Sequence, residues 1–190
     1  MWLDSTGTWQ HFTVEQMKDF YREIPRFREL LNYDKLIARV IEQDEIISLV
    51  NKLNWNFPEY EQKDAIKILK NIVHEDDYDL LIISGHKYTW PNTVEILKEA
   101  GYPKNRKALP SLILLLQDIN WPGAREGMSV LKESDKKVLI PMLEIAIEEA
   151  YNTNDVEWLT WIKEFLEFAE INKADFVNCE VYGLLKHANQ

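Results

Sequence analysis

Three short segments that combine a tryptophan with a proline constrain the fold of this chain most strongly. They read NWNFP at residues 54–58, TWPN at residues 89–92 and NWPG at residues 120–123. Proline lacks a backbone donor and disfavours helical geometry in the residue before it, so a preceding helix must already have ended. At the first position of the next helix proline is tolerated, because that N–H has no intrahelical partner. The segments therefore predict corners between successive helices.

The tryptophans of these corners recur at a nearly regular interval. The interval is 35 residues from Trp55 to Trp90 and 31 residues from Trp90 to Trp121. A further 37 residues lead from Trp121 to Trp158, which stands at a comparable place without a proline. Periods of this length are typical of two-helix repeats, in which each unit buries its apolar face on its neighbours.

The third corner carries a motif of four residues: Asp118, Asn120, Trp121 and Pro122. Asp118 and Asn120 are short acceptors that suit the free N–H groups at a helix start. Trp121 suits the wedge between two helices, where its indole N–H needs a partner. We interpret the motif as structural, and the alternative is that Asp118 faces a ligand groove.

Between the corners, apolar residues recur at helical intervals and no strand alternation persists, so the sequence predicts an all-α fold. A capping box at residues 13–16 is expected to open one helix, and Asp44 is expected to cap a later one. Residues 80–83 could form a strand, but their place between helices favours a short helix. Residues 112–116 are apolar all round, which is typical of a buried central helix.

Glycine, proline and asparagine residues predict where the later helices begin and end. Gly101 is expected to be a C-cap. Pro141 is expected in the first turn of a helix over residues 138–150, and Asn154 is expected to cap the next helix. Residues 176–185 are expected to form the last helix.

The single cysteine, Cys179, excludes an internal disulfide and a cysteine metal cluster. It lies among apolar residues, so we expect a buried small hydrophobe, and a lone thiol suits a reducing cytoplasm. The first ten residues lack the basic start and apolar core of a secretory signal, and no apolar run approaches the length of a membrane span. We expect a cytoplasmic protein without a membrane partner.

The formal net charge of −10 argues against polyanionic partners, because phosphate backbones and anionic lipids repel an acidic protein. The best basic cluster contains four residues: Lys98, Lys104, Arg106 and Lys107. Lys98 is better placed to complement the C-terminus of a helix than to bind phosphate. We therefore expect no nucleic-acid partner.

Few residues have the spacing that catalysis or metal binding needs. Residues 74–79, HEDDYD, concentrate acids but lack the spacing and the glycine of a calcium-binding loop. Ser84 lies near His86, but no nucleophile elbow surrounds it. Zinc-ligand spacing and phosphate-binding glycine loops do not occur. The sequence predicts no catalytic residue, no metal and no cofactor.

Four aromatic residues at helical spacing mark one late helix: Trp158, Trp161, Phe165 and Phe168. Such a stripe is typical of a helix that packs on a core. The alternative is that the stripe lines a pocket for an apolar or sugar ligand.

Acidic residues concentrate between residues 144 and 170, where eight acids accompany one base, Lys163, and hold −7 of the net charge of −10. The candidate partner-binding residues of this stretch are Glu144, Glu148, Glu157, Glu164 and Glu167. One interpretation is a solvated face that keeps the chain soluble. The other is a docking surface for a basic protein, which would steer its association.

The block ALPSLILLLQDINWPGAREGMSVLKES, residues 108–134, resembles domain-of-unknown-function family 5071, a mainly bacterial family. The shared pattern is a leucine-rich helix followed by QDINWP at residues 117–122. Gly123 departs from the pattern, because a β-branched or larger apolar residue is common there. The resemblance extends more loosely over residues 44–169. It implies antiparallel helix pairs stacked as a HEAT-like, right-handed superhelical array, and it implies no catalytic residues.

These predictions divide the chain into a helical extension (residues 1–43), a helical-repeat domain (residues 44–169) and a capping helix (residues 170–190), packed as one unit. They favour a non-enzymatic protein-binding scaffold or inhibitor, and an immunity-type protein that neutralises a cationic toxin is one version of it. A small-molecule sensor is the alternative. A HEAT-like DNA-repair enzyme is less favoured, because it would need a basic concave face.

Overall fold

The computed structural model describes residues 2–3, 9–10 and 33–189. The chain falls into two compact units, Met1–Glu45 and Ile46–Gln190. The boundaries that the sequence pattern suggests after residues 43 and 169 stay a prediction.

Two short strands precede the first helix among the described residues. Strand β1 (Trp2–Leu3) pairs antiparallel with strand β2 (Trp9–Gln10), and Trp2 lies opposite Gln10. Strands of this length are too short to show apolar alternation in the sequence, so the pattern did not predict them. The predicted capping box at residues 13–16 lies outside the described residues.

Helices form the rest of the described chain, which confirms the all-α prediction apart from the strand pair. In chain order they are α1 (Tyr33–Lys52), α2 (Glu59–Ile72), α3 (Leu80–Ile83), α4 (Trp90–Ala100), α5 (Leu109–Leu114), α6 (Ala124–Lys132), α7 (Lys136–Asn152), α8 (Val156–Phe168) and α9 (Cys179–Leu184). Short 3-10 turns lie between or after them at Glu75–Asp77, Lys104–Ala108, Leu115–Gln117, Lys173–Asp175 and Leu185–Asn189. Among the described helices, none has the length and apolar character needed to cross a membrane.

Several predicted helix ends are confirmed. α3 covers Leu80–Ile83, so this apolar run is a short helix and not a strand. α4 ends at Ala100, and Gly101 follows as its C-cap with a φ of 66°. Lys98 lies in the last turn of α4, where a positive charge complements the helix dipole.

Two predictions about helix interiors are wrong. Asp44 caps no helix, because α1 runs unbroken through it and neither proline nor glycine interrupts residues 33–52. The central helix is not buried all round, because Leu114 is 48% exposed while Leu112 is fully buried. One face of α5 is therefore left open by its neighbours.

Pro141 does not stand in the first turn of its helix. α7 begins at Lys136, because the Asp135 carboxylate accepts a hydrogen bond from the Lys137 N–H at 2.9 Å and caps the helix earlier than predicted. Pro141 consequently lies inside α7. The cap was missed because the apolar pattern becomes regular only after it.

Asn154 does not cap α8, so that prediction is wrong as well. Asp155 is the cap, and its carboxylate accepts a hydrogen bond from the Trp158 N–H at 2.9 Å. Asn154 takes the left-handed conformation instead, with a φ of 56°, which asparagine tolerates better than most residues. Asn154 and Asp155 are both residues that can cap a helix, and Asp155, the one nearer to α8, is the cap.

The last helix begins later than predicted. α9 starts at Cys179, because the Asn178 side chain caps it by accepting a hydrogen bond from the Glu180 N–H at 3.0 Å. Cys179 therefore lies in the first turn and is exposed, which corrects the prediction of a buried thiol. Residues 176–178, where the helix was expected to begin, are irregular, and a 3-10 turn, Lys173–Asp175, precedes them.

The helices of the second unit pack mostly on near neighbours in the chain. α4 contacts α2 and α6, α5 contacts α6 and α7, and α7 contacts α8 and α9. The side chains between them include five that are completely buried: Leu69, Leu97, Leu112, Leu131 and Ile147. Each such side chain stabilises the fold by about 1.5–3 kcal/mol relative to exposure. This packing holds the corners in place.

Candidate functional site

At the third corner, Asp118, Asn120 and Trp121 hydrogen-bond to one another and so form the turn. The Asp118 carboxylate accepts a hydrogen bond from the Asn120 N–H at 2.8 Å, and the Trp121 N–H donates to the Asp118 carbonyl at 3.0 Å. At the first corner, the Asn54 side chain accepts from the Asn56 N–H in the same way, at 2.9 Å. The two corners therefore share a turn in which a short acceptor reaches the N–H two residues ahead.

Neither Asp118 nor Asn120 caps α6, so that prediction is wrong. α6 begins at Ala124, and Gly123 stands at its N-cap with a φ of 86° and no side-chain cap. Asn120 is exposed, and the Asp118 carboxylate is engaged within the turn. Pro122 lies two residues before α6 rather than at its first position.

Trp90 and Trp121 bring the second and third corners into contact. Their ring centroids are 5.4 Å apart, with an interplanar angle of 45°. Both side chains are half-buried against the core, and the Trp90 indole N–H donates to the Ile82 carbonyl at 3.4 Å. Trp121 therefore fills the predicted wedge only in part, and the remainder of its ring lines an open cleft.

Gly123 allows this close approach of the two corners. A Cβ atom at Gly123 would lie 3.1 Å from both the carbonyl carbon and the carbonyl oxygen of Trp90. Its φ of 86° also disfavours any L side chain. A β-branched or larger residue could not adopt this geometry unless Trp90 moved. The departure at Gly123 therefore has a structural reason in this chain.

The corners surround a solvent-open cleft of about 670 Å³. Its described lining combines aromatic, amide and basic side chains with one glycine: Asn54, Asn56, Gly85, His86, Lys87, Tyr88, Trp90 and Trp121. Trp55 lies beside it, where its ring meets Tyr88 edge-to-face at a centroid distance of 5.1 Å. Trp55 is 46% exposed and Tyr88 is 38% exposed. Residues of all three corners thus meet at one aromatic cleft.

A tight turn at residues 86–89 positions Tyr88. The buried Thr89 hydroxyl donates to the His86 carbonyl at 2.9 Å and accepts from the His86 N–H at 3.0 Å. His86 Nδ1 accepts from the Tyr88 N–H at 3.3 Å. The Tyr88 carbonyl accepts from the Trp55 N–H at 3.2 Å, which ties this turn to the first corner.

Asn92 anchors the first corner on α4. Its amide donates to the Leu53 carbonyl at 2.7 Å and to Gln62 Oε1 at 2.8 Å. Gln62 in turn donates to the Phe57 carbonyl at 2.7 Å. These bonds hold both ends of the loop that carries Trp55, so the wall of the cleft is positioned before any ligand arrives.

The aromatic cleft combines groups that can stack on a ligand with groups that can hydrogen-bond to it. No Asp, Glu, Ser or Cys occurs among the described residues that line it. Ser84 is not aligned with His86, because the Ser84 hydroxyl donates to the Leu80 carbonyl. Lys87 lies 5.3 Å from the centre of the Tyr88 ring. Aromatic rings and amides offer a ligand stacking surfaces and neutral hydrogen bonds.

The acidic run at residues 74–79 is a turn between helices. Within the described chain, no group of three His, Cys, Asp or Glu side chains comes together as a metal site. The Asp79 carboxylate accepts from the Leu80 N–H at 3.0 Å, and Asp76 faces Lys107 at 3.9 Å. One lysine of the predicted basic cluster, Lys107, therefore forms an ion pair with this turn.

Two of the five glutamates predicted to bind a partner make hydrogen bonds within the chain. Glu144 accepts from the Asn178 N–H at 2.7 Å and so holds the start of α9. Glu157 accepts from the Trp161 indole N–H at 3.4 Å. The other three are exposed: Glu148, Glu164 and Glu167.

Lysines from other helices reach the end of α8. Lys132 donates to the Phe168 carbonyl at 2.7 Å, and Lys136 donates to the Glu170 carbonyl at 2.8 Å. Positive charge at these carbonyls complements the C-terminus of the helix. The acidic stretch over residues 144–170 therefore has lysines beside it in the fold.

The aromatic stripe of α8 divides between core and surface. Trp158 and Phe165 are buried, as a packing stripe predicts, whereas Phe168 is 44% exposed. Trp158 also lines an apolar groove of about 280 Å³. Its buried indole N–H has no acceptor in the described part of the chain.

The comparison with family models identifies residues 82–177 as Domain of unknown function (DUF5071), a match over half of the 190 residues. The chain belongs to this family. No curated protein and no solved structure matches it. The DUF5071 match begins later than residue 44, where the resemblance was expected to start, and ends later than residue 169. It includes Trp90 and Trp121 but not Trp55, so one wall of the aromatic cleft lies outside it.

The sequence pattern did not reveal three residues that join the first corner to the others: Gln62, Tyr88 and Asn92. Two features of the sequence could nevertheless have indicated the cleft. Asn54 and Asn56 repeat the spacing of Asp118 and Asn120, which predicts the same turn at both corners. Corners that recur at the period of stacked helix pairs are expected on one side of the stack. Together these signals point to a shared cleft.

The variant Gly123→Ala is expected to lower the free energy of unfolding by about 2 kcal/mol or more, because of its left-handed φ and the contact with the Trp90 backbone. Urea denaturation followed by tryptophan fluorescence measures the change. The control is Gly183→Ala in α9, where no atom lies within 4 Å of the Cβ position and alanine is expected to be neutral or stabilising. A Gly123→Ala protein as stable as the unmodified chain would contradict the corner described above.

Proposed function

We propose that this DUF5071 member is a non-enzymatic binding protein, and that its aromatic cleft grips an extended segment of a protein partner. The observation that carries the proposal is the exposure of Trp55 (46%) and Tyr88 (38%) beside the half-buried pair of Trp90 and Trp121. Exposed aromatic patches on soluble proteins mark interaction sites. Trp and Tyr are also enriched among the residues that dominate binding energy at interfaces.

The chemistry of the aromatic cleft favours a proline-containing segment. Aromatic-lined grooves bind such segments because a polyproline II helix is largely ordered before it binds. The Asn56 side chain is exposed at the cleft and offers amide hydrogen bonds to a bound backbone. Because His86 and Lys87 are the basic groups of the described lining, a neutral or acidic segment fits better than a basic one.

Preorganisation supports a binding role for the same cleft. Thr89 and Asn92 hold the two walls through four hydrogen bonds of 2.7–3.0 Å. A site that is ordered in advance loses less side-chain and loop entropy on binding. The open side of the cleft leaves room for a segment that continues beyond it in both directions.

We also propose that the helix pairs form a HEAT-like, right-handed superhelical array. The contacts of α4 with α2 and α6, and of α7 with α5, α8 and α9, support it, because repeat arrays contact mainly their neighbours. Such an array would place successive corners along one edge. This placement accounts for a cleft to which three corners contribute.

A second candidate is a docking surface for a basic protein, such as a cationic toxin bound by an immunity-type inhibitor. Glu148 on α7 and Glu164 on α8 are exposed, and neither makes an ion pair with a described residue. Because the whole chain has a net charge of −10, these glutamates would help to steer a cationic partner toward the docking surface.

We also propose that the protein lies in the cytoplasm, where the exposed thiol of Cys179 would stay reduced.

Selection of displayed random peptides tests the aromatic cleft. Peptides captured by the unmodified chain are expected to contain proline and to lose about tenfold or more in affinity for Tyr88→Ala and Trp55→Ala, because truncation removes interface rings. The matched control is Tyr151→Ala, since Tyr151 is a comparably exposed tyrosine (42%) on α7. Fluorescence polarisation of labelled peptides gives the affinities.

Two results would count against the aromatic cleft. One is a set of selected peptides that bind Tyr88→Ala as tightly as the unmodified chain. The other is saturable quenching of the tryptophans by a small molecule that excludes no peptide, which would favour a sensor. A cleft of about 670 Å³ is large enough for either class of ligand.

Charge reversal tests the docking surface once a basic partner has been captured. The double variant Glu148→Lys, Glu164→Lys is expected to slow association about tenfold at low salt, and this difference should shrink as salt is added. Stopped-flow or surface-plasmon measurements give the association rates. Rates that respond neither to the reversal nor to ionic strength would leave these glutamates as solvated surface.

A further inference from the structure

A second cleft lies between α8 and the C-terminal residues that pack on it. Its volume is about 330 Å³. Three lysines from separate elements line it: Lys163 in α8, Lys173 in the following 3-10 turn and Lys186 in the last turn. Glu167 supplies the one carboxylate among the described lining residues. We call this the lysine cleft.

The described lining of the lysine cleft has a formal charge opposite in sign to that of the chain. Three ammonium groups and one carboxylate leave a formal charge of +2, whereas the net charge of the protein is −10. Within the described residues, no ion pair joins any of these lysines to a carboxylate. Like charges that line one cleft repel each other, and an anion that binds between them relieves the repulsion.

The floor of the lysine cleft is apolar and firmly packed. Leu166, Ile171 and Leu185 are 2%, 5% and 4% exposed. Tyr182 joins them, with its ring held edge-to-face against Phe176 at a centroid distance of 5.1 Å. An apolar floor below a group of cations suits a ligand that has an anionic head and a small apolar body.

We propose that the lysine cleft binds a small soluble phosphomonoester, with the phosphate among the lysines and an apolar body against Leu166 and Tyr182. A phosphomonoester carries about 1.5–2 negative charges near neutral pH, which suits the formal charge of +2, whereas a carboxylate carries only one. Lysine binds phosphate as a point charge and needs no fixed bidentate geometry. Three flexible side chains can therefore close on one phosphate.

The charge of the whole chain restricts the ligand to a small molecule. Nucleic acids and anionic membranes present many phosphates at once, and a net charge of −10 opposes their approach. A single phosphate on a small body meets mainly the local field of the lysines. The volume of about 330 Å³ also lies at the small end of ligand pockets. The site is separate from the aromatic cleft and does not depend on its function.

Calorimetric titration of the full chain with phenyl phosphate, benzoate and phenol tests the proposal. These probes share a ring and differ in charge. Phenyl phosphate is expected to bind, benzoate about tenfold more weakly, and phenol without detectable heat, because affinity should follow the charge placed among the lysines. Added salt is expected to weaken the binding of phenyl phosphate.

Two variants with opposite expected effects sharpen the test. Lys186→Gln removes a cation from the cleft and is expected to weaken phenyl phosphate binding about tenfold. Glu167→Gln removes the carboxylate and is expected to strengthen it about threefold. Their controls are Lys98→Gln on α4 and Glu164→Gln on α8, which change the net charge equally at exposed positions outside the cleft.

Equal affinities of Lys186→Gln and Lys98→Gln for phenyl phosphate would overturn the proposal, and so would equal affinities of Glu167→Gln and Glu164→Gln. No detectable binding at about 10 mM phenyl phosphate would overturn it as well. Thermal melting checks that each variant folds, which is expected because Lys186 and Glu167 are exposed. Lys173→Gln, also at an exposed position, replaces Lys186→Gln if that variant fails to fold.

Discussion

The contact between Trp90 and Trp121 is the interaction on which the aromatic cleft depends. Trp90 is the first residue of α4, and Trp121 lies just before α6, so one pair of rings sets the spacing of two corners. The 5.4 Å separation is possible because Gly123 lets the backbones approach to where a Cβ would be 3.1 Å from the Trp90 carbonyl. The opposite wall, with Trp55, is tied to this framework through the Tyr88 carbonyl at 3.2 Å.

The described linings of both clefts carry few acidic groups, although the chain is strongly acidic. The described lining of the aromatic cleft includes His86 and Lys87 but no carboxylate, and the lysine cleft has only Glu167 against three lysines. The net charge of −10 therefore describes the outer surface better than it describes either cleft. Ligands are selected by local fields, whereas the total charge governs the approach of large partners. The proposed phosphate site depends on this difference between the local charge and the total charge.

Local interactions made most of the fold predictable from the sequence, and long-range contacts made the clefts unpredictable. The α4 C-cap at Gly101 follows from its own neighbours, and so does the short helix α3. The choice of Asp155 over Asn154 could not be predicted, because adjacent capping residues compete and tertiary packing decides between them. Asn92 joins α4 to Leu53 across 39 residues, and no local pattern encodes such a bond. The three lysines of the lysine cleft likewise come from three separate elements.

A double-mutant cycle on Trp90 and Trp121 tests this account most directly. Unfolding free energies of the unmodified chain, Trp90→Ala, Trp121→Ala and the double variant give the coupling between the two rings. The contact predicts a stabilising coupling of about 0.5–1.5 kcal/mol, the usual range for aromatic pairs. A control cycle pairs Trp90→Ala with Trp161→Ala, a half-buried tryptophan on α8, and is expected to be additive within about 0.5 kcal/mol. A Trp90–Trp121 coupling no larger than that of the control cycle would contradict the account.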